Sequence, residues 1–278
     1  MLLNTIANLY DEIQNQKNTN KIIANAFIFL LVPFIIILNA RTSFPFNGVY
    51  SYILLYASLL LFSLFQFNYP DKAVGKQATR IRKIKNISLF YIIFPIVLPF
   101  FFSITLLPVT LVTGNNVQNL ESVSPGNLPL DLISACLAGL EEVWKLSVII
   151  LGIYVATVWV GRSPNKIRKC VAVILSLIVS SFIFGWLHSF GYSNNWFDPK
   201  ITFSIGILGL ELGLVFLLTR RLWVAILVHS MFDINNVLMR FDTDVFGLFH
   251  VVVSFIFIAA FVVYWIADNK VKNKVEVL

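Results

Sequence analysis

Charge is scarce in this 278-residue chain: 13% of its residues are Asp, Glu, Lys or Arg, against 58% hydrophobic. An ordinary soluble domain carries about 25% charged residues, so the balance excludes that class. Cysteine is nearly absent as well. Cys136 is expected near the outer end of the fourth hydrophobic helix and Cys170 at the inner end of the fifth, a depth difference no disulfide spans. Neither has a CxxC partner or a metal-ligand spacing. There is no HExxH, which excludes a sequence match to an ordinary zincin, and no GxSxG, which argues against the usual serine intramembrane enzymes. Internal repeats, low-complexity tracts and a soluble domain are missing too. So is the paired, inverted set of broken helices expected of a transporter.

What is present is a series of long apolar runs. A bilayer-spanning helix needs ~20 mostly apolar residues. Eight segments qualify: about 22–40, 48–66, 87–111, 130–160, 171–192, 201–219, 222–240 and 246–267. The fold class is therefore all-α: a polytopic membrane protein of about eight transmembrane helices in one bundle. Residues 1–21 precede the bundle and are too polar for a signal-peptide core. Leu2, Ile6, Leu9 and Ile13 share a helical face, so this stretch reads either as an interfacial helix or as a disordered segment. Residues 22–267 form the bundle, with its motif-bearing core at 130–240. Residues 268–278 form a basic tail. The stretch 114–129 connects two spans or covers a site as a lid.

The basic residues orient the chain. With the N-terminus inside, Lys17, Lys21, the cations from Lys72 to Lys85, Arg162, Lys166, Arg168, Lys169, Arg220, Arg221, Lys270, Lys272 and Lys274 all fall on the inner side. Only Arg41, Lys200 and Arg240 fall outside, as the positive-inside rule requires. The net charge of +7 is thus an inner-loop signature and calls for a lipid bilayer, with no nucleic acid among the partners. Both termini are expected in the cytoplasm, and the compact chain suits a bacterial plasma membrane.

Against this background three apolar segments carry ionisable residues four positions apart: Glu141-Glu142-Val-Trp-Lys145, Phe184-Gly-Trp-Leu-His188 and His229-Ser-Met-Phe-Asp233. Residues at i and i+4 share a helix face, and charge within a bilayer costs a few kcal/mol or more unless it faces a polar interior. Glu141 and Glu142 diverge by about 100° on a helix, so they have different roles, and Lys145 is placed to pair with Glu141. Taken singly, each segment has a bland reading. The glutamates and Lys145 could be a buried ion pair, His188 a hydrogen-bonded core residue beside Phe184, and His229–Asp233 a self-satisfied polar pair. Glu211 is a structural partner or a gate residue, and His250 is interfacial. Gly206, Gly209 and Gly213 permit close helix packing.

Converging from three helices, the same groups can activate water to attack a carbonyl. One carboxylate acts as base, a histidine assists it or binds metal, and the others stabilise the oxyanion. The cofactor is either one divalent metal, zinc on Glu142, His188 and His229 with a position open for water, or none. Counted from the inner-face cations Arg162 and Lys169, Glu142 and His188 lie toward the outer leaflet. His229 is only eight residues past Arg221, so its helix must be shifted or tilted to join them.

The order EE, FxxxH, HxxxD resembles the superfamily of intramembrane proteases that includes CAAX prenyl endopeptidases, bacteriocin-immunity and bacteriocin-processing proteins and PrsW-type proteases, over about residues 130–240. The resemblance implies hydrolysis of a peptide bond in a membrane-embedded or membrane-anchored protein or peptide. By motif position Glu141 is the water-activating glutamate, Glu142 its paired acid, and His188 an assistant or metal ligand. His229 and Asp233 complete the catalytic set, supported by Lys145 and Phe184. The CAAX motif EExxxR would put a cation at 146, where this chain has Leu146. Lys145 fits the PrsW form EExxK, whereas His188 stands where that branch commonly has Glu. The alternative within the same fold is an inactive scaffold or immunity protein that binds a peptide.

Overall fold

A computed structural model describes residues 2–41, 48–66, 88–113, 124–161, 164–193 and 197–249, with positions 251, 252, 255, 256 and 259. The basic segment 67–86, most of the expected lid or connector, His250 and the tail lie outside the described residues. Among the described residues all regular structure is helical. The helices are α1 (Leu2–Asn15), α2 (Thr19–Arg41), α3 (Gly48–Gln66), α4 (Leu89–Thr113), α5 (Leu128–Ala138), α6 (Glu141–Val160), α7 (Lys166–Ser193), α8 (Pro199–Thr219) and α9 (Leu222–Phe241). Helix α4 opens with a π turn at Leu89–Ile93, where Phe94 N–H reaches back to Leu89 O just before Pro95. A proline cannot donate to the ladder, and the wider turn absorbs that loss.

Among the described residues five helices are long and apolar enough to cross a membrane: α4, α7 to Phe190, α8, α9 and Thr19–Ile36 of α2. The chain is a multi-pass membrane protein. Apolar side chains such as Val158, Trp159, Leu175 and Phe203 are exposed on the outside of the bundle, as a lipid-facing surface requires.

Two expectations change. The span at 130–160 is not one helix: it breaks at Gly139–Leu140, so α5 and α6 are separate. The junction stays near helical dihedrals but tightens, with Glu142 N–H bonding Gly139 O and Val143 N–H bonding Leu140 O. Gly139 is required there because a Cβ would strike Ile226 O and Ser230 Oγ of α9. Ser230 Oγ also donates to Cys136 O at 2.8 Å, which fastens the break to α9.

The N-terminal segment is neither disordered nor spread on a lipid surface with its apolar face. Helix α1 buries Ile6, Leu9, Tyr10 and Ile13 against the bundle. Its polar side is tied down by Asp11 to Lys169 of α7 at 2.7 Å and by Gln14 Nε2 donating to Ile153 O of α6 at 3.3 Å. Arg220, the left-handed cap that ends α8, pairs with Glu12 at 3.4 Å. An amphipathic helix can bury its apolar stripe on protein as readily as on lipid, and complementary charges on α7 and α8 select the first.

The close pairing of α7 with α8 sets the depth of the site. A Cβ on Gly185 would meet Thr202 O and, at 2.8 Å, Gly206 N, while one on Gly209 would meet the Phe184 ring at 2.9 Å. The glycines of α8 therefore act in packing, as their spacing suggested. Gly185→Ala should lower stability by about 1–3 kcal/mol, because backbone rather than a flexible side chain blocks the methyl. Thermal unfolding in detergent checks this; an unchanged midpoint would mean the two helices separate freely.

Candidate active site

Glu141 and Glu142 open the first turn of α6, where the helix dipole favours negative charge. The break at Gly139 therefore gives the carboxylates a polar environment that the middle of a continuous helix would deny them. Trp144 Nε1 donates to Phe29 O of α2 at 3.3 Å, and Ser180 Oγ of α7 donates to Lys145 O at 2.9 Å. These bonds fix the rotation of α6 about its axis.

That rotation separates the two acids. Glu142 is 3% exposed, with Oε2 2.7 Å and Oε1 2.8 Å from Lys145 Nζ, and Oε1 also 3.1 Å from His229 Nδ1. Lys145, 1% exposed, thus pairs with Glu142 at i+3 and not, as the spacing suggested, with Glu141 at i+4. Glu141 is 23% exposed and opens on a cavity of ≈ 400 Å³ between α2, α3, α5, α6, α7, α8 and α9. Its Oε2 lies 3.5 Å from His188 Nε2, and its Oε1 accepts from Tyr56 OH at 3.4 Å.

The histidine roles follow from their partners. His188 Nδ1 is 2.9 Å from Phe184 O, which can only accept, so Nδ1 carries the hydrogen. In the neutral ring Nε2 is then an acceptor aimed at Glu141. Phe184 stacks beside His188 with centroids 4.4 Å apart, meets His229 edge-on at 6.1 Å, and carries Lys145 Nζ 5.1 Å from its ring centre. His229 has a carboxylate oxygen at each nitrogen: Glu142 at Nδ1 and Asp233 Oδ2 3.6 Å from Nε2. Thus Glu141, His188, His229 and Asp233 line one cavity, and Glu142 and Lys145 lie behind it.

Glu211 is elsewhere. It accepts from Thr105 of α4. Tyr56 was not marked by the sequence, since α3 carries three tyrosines, Tyr50, Tyr52 and Tyr56, and nothing local distinguishes the one that faces the site. Asp131, Asn236 and Arg240 also line the cavity.

The donor geometry does not fit the zinc set. Both oxygens of Glu142 face an ammonium, and His188 turns toward Glu141 rather than Glu142. Among the described residues no group of three or more His, Cys, Asp and Glu side chains is arranged to hold a metal ion.

No curated protein and no solved structure matches the chain. Residues 133–235 match the family model described as type II CAAX prenyl endopeptidase Rce1-like. That is a protease family, and the match lies on the CAAX branch rather than the PrsW branch. The stretch runs from α5 to α9 and contains Glu141, Glu142, His188, His229 and Asp233 in the order of the superfamily motifs. Over residues 133–235 the chain is thus similar to the CAAX protease superfamily.

Proposed function

We propose that the protein is an intramembrane endopeptidase that cleaves a membrane-associated protein or peptide with a glutamate–histidine, metal-independent site. The observation that carries this reading is the division of labour between adjacent glutamates: Glu142 is buried and saturated by Lys145 and His229, while Glu141 faces the cavity and His188. A purely structural ion pair would use Glu142 and Lys145 and have no need of Glu141, His188 and Asp233 around an open space.

The geometry suits hydrolysis step by step. Glu141 Oε2 and His188 Nε2 are two acceptors facing each other at 3.5 Å. A water donating one O–H to each would sit there with its lone pairs turned to the cavity. Glu141 takes a proton from that water as the oxygen bonds to the substrate carbonyl carbon, and the carbonyl π pair moves to oxygen. Protonated His229, whose Nε2 lies 3.6 Å from Asp233 Oδ2, donates from Nε2 to that oxyanion, and the Asp233 carboxylate balances its charge. The Glu141 carboxyl then gives its proton to the amide nitrogen, the C–N bond breaks, and the oxyanion collapses to a carboxylic acid. Glu142 and Lys145 hold His229 in register and touch no reacting atom.

On the charge bias both termini are cytoplasmic, and the compact chain suits a bacterial plasma membrane. The cavity end bearing Asp131 and Arg240 then lies toward the outer face. The matching family is described as a CAAX prenyl endopeptidase, while a cavity whose polar end lies toward the outer face favours a membrane-embedded segment cut near its outer edge.

Mass spectrometry of new protein N-termini tests this in membranes of cells expressing wild type or His188→Ala at matched levels. The expected result is a set of termini lost in the variant and clustered at outer span edges. Termini at cytoplasmic CAAX positions would reverse the side, and identical sets would favour the peptide-binding scaffold.

A further inference from the structure

Tyr56 comes from α3, outside the matched segment, yet reaches the acid that the proposed chemistry depends on. Leu55 and Leu59 beside it are buried, which fixes the face that α3 presents, and all three residues line the cavity. Glu141 has two oxygens and two nearby side chains with complementary capacities. Tyr56 OH is a donor to Oε1, whereas His188 Nε2, with its hydrogen placed at Nδ1, faces Oε2 as an acceptor. A carboxylate free to rotate about its terminal torsion exchanges its oxygens; one anchored at Oε1 keeps Oε2 on the histidine side. The 3.4 Å separation is long for such a bond, and catalytic bonds of this kind tighten when substrate excludes water.

We propose that Tyr56 is a positioning residue of the proposed protease site, whose phenol anchors Oε1 of Glu141 so that Oε2 and His188 Nε2 share the attacking water. The inference rests on the endopeptidase reading. It gives the α2–α3 pair a role in catalysis besides forming a wall, because the site is incomplete without a side chain that the family-matched core does not supply.

The test uses full-length protein in liposomes. The probe is the membrane peptide whose new terminus the wild-type and His188→Ala comparison identifies, labelled with a quenched fluorophore. Tyr56→Phe keeps the ring and the cavity wall and removes only the donor. It should lower kcat about 10-fold with KM and melting temperature within two-fold and a few degrees of wild type. Tyr56→Leu, which removes the ring too, should lower kcat as much and also raise KM. In Glu141→Asp, whose carboxylate is drawn one methylene away from α3, the same Tyr56→Phe change should cost less than about two-fold, since the anchored contact is already lost.

Wild-type kcat in Tyr56→Phe, or a loss equally large in the Glu141→Asp background, overturns the positioning role while leaving the protease reading in place. A rise in KM alone makes Tyr56 a substrate contact and also overturns it. Should no terminus depend on His188, or should Glu141→Gln cleave like wild type, the underlying reading fails and this inference fails with it.

Discussion

Glu141→Gln should abolish cleavage, with a drop of about 10³-fold or more, and leave the protein folded and expressed at wild-type level. A positioned general base contributes about 10²–10⁴-fold, and no other carboxylate takes its place. Glu142 is adjacent in sequence but has both oxygens on Lys145. Asp233 faces His229 rather than the proposed water. The amide is nearly isosteric, can still accept from Tyr56, and has lost only its basicity. Cleavage of the identified membrane peptide by purified protein in liposomes gives the rate, and near-wild-type turnover would refute the assignment of Glu141. Loss of function with intact folding would also separate an enzyme from a scaffold, since a peptide-binding relative has no use for that basicity.

The second large effect is on stability. Lys145→Met should destabilise the bundle by about 3–5 kcal/mol, because it leaves Glu142 buried with a single remaining partner, His229. Glu142→Gln should cost a comparable amount by stranding the ammonium beside the Phe184 ring. The double variant Glu142→Gln/Lys145→Met should recover more than half of either loss, since a well-filled neutral pair carries no desolvation cost. It should stay poorly active, because the carboxylate that orients His229 Nδ1 is gone. Thermal unfolding in detergent gives the stabilities. Additive losses in the double variant would show that the two residues act independently and that the 2.7 Å contact is not the source of the cost.

These two experiments address acids that are neighbours in sequence and opposite in role. Local spacing offered three pairings at i+4, and two formed as helical geometry requires: Phe184 with His188, and His229 with Asp233. Lys145 chose the i+3 acid instead. Both offsets lie on adjacent helix rows. The bonds to α2 and α7 turn the row bearing Glu142 and Lys145 inward, and the row bearing Glu141 toward the cavity.

The sequence by itself determined the chemical class of the protein. Low charge, long apolar runs and isolated ionisable residues in fixed register identify a helical membrane bundle with a polar site. They also name Glu141, Glu142, His188, His229 and Asp233 as candidates for that site, because hydropathy and helical periodicity are local properties. Tertiary structure alone decided what depends on contact between distant segments. Gly139 breaks the fourth span because the backbone of α9 passes against it. Helix α1 buries its apolar face on protein because Lys169 and Arg220 lie opposite its acids. Tyr56 reaches Glu141 across 85 residues, a pairing that no spacing rule encodes. Which acid is buried against lysine and which faces the cavity is decided by the packing of α6 against its neighbours and not by sequence order.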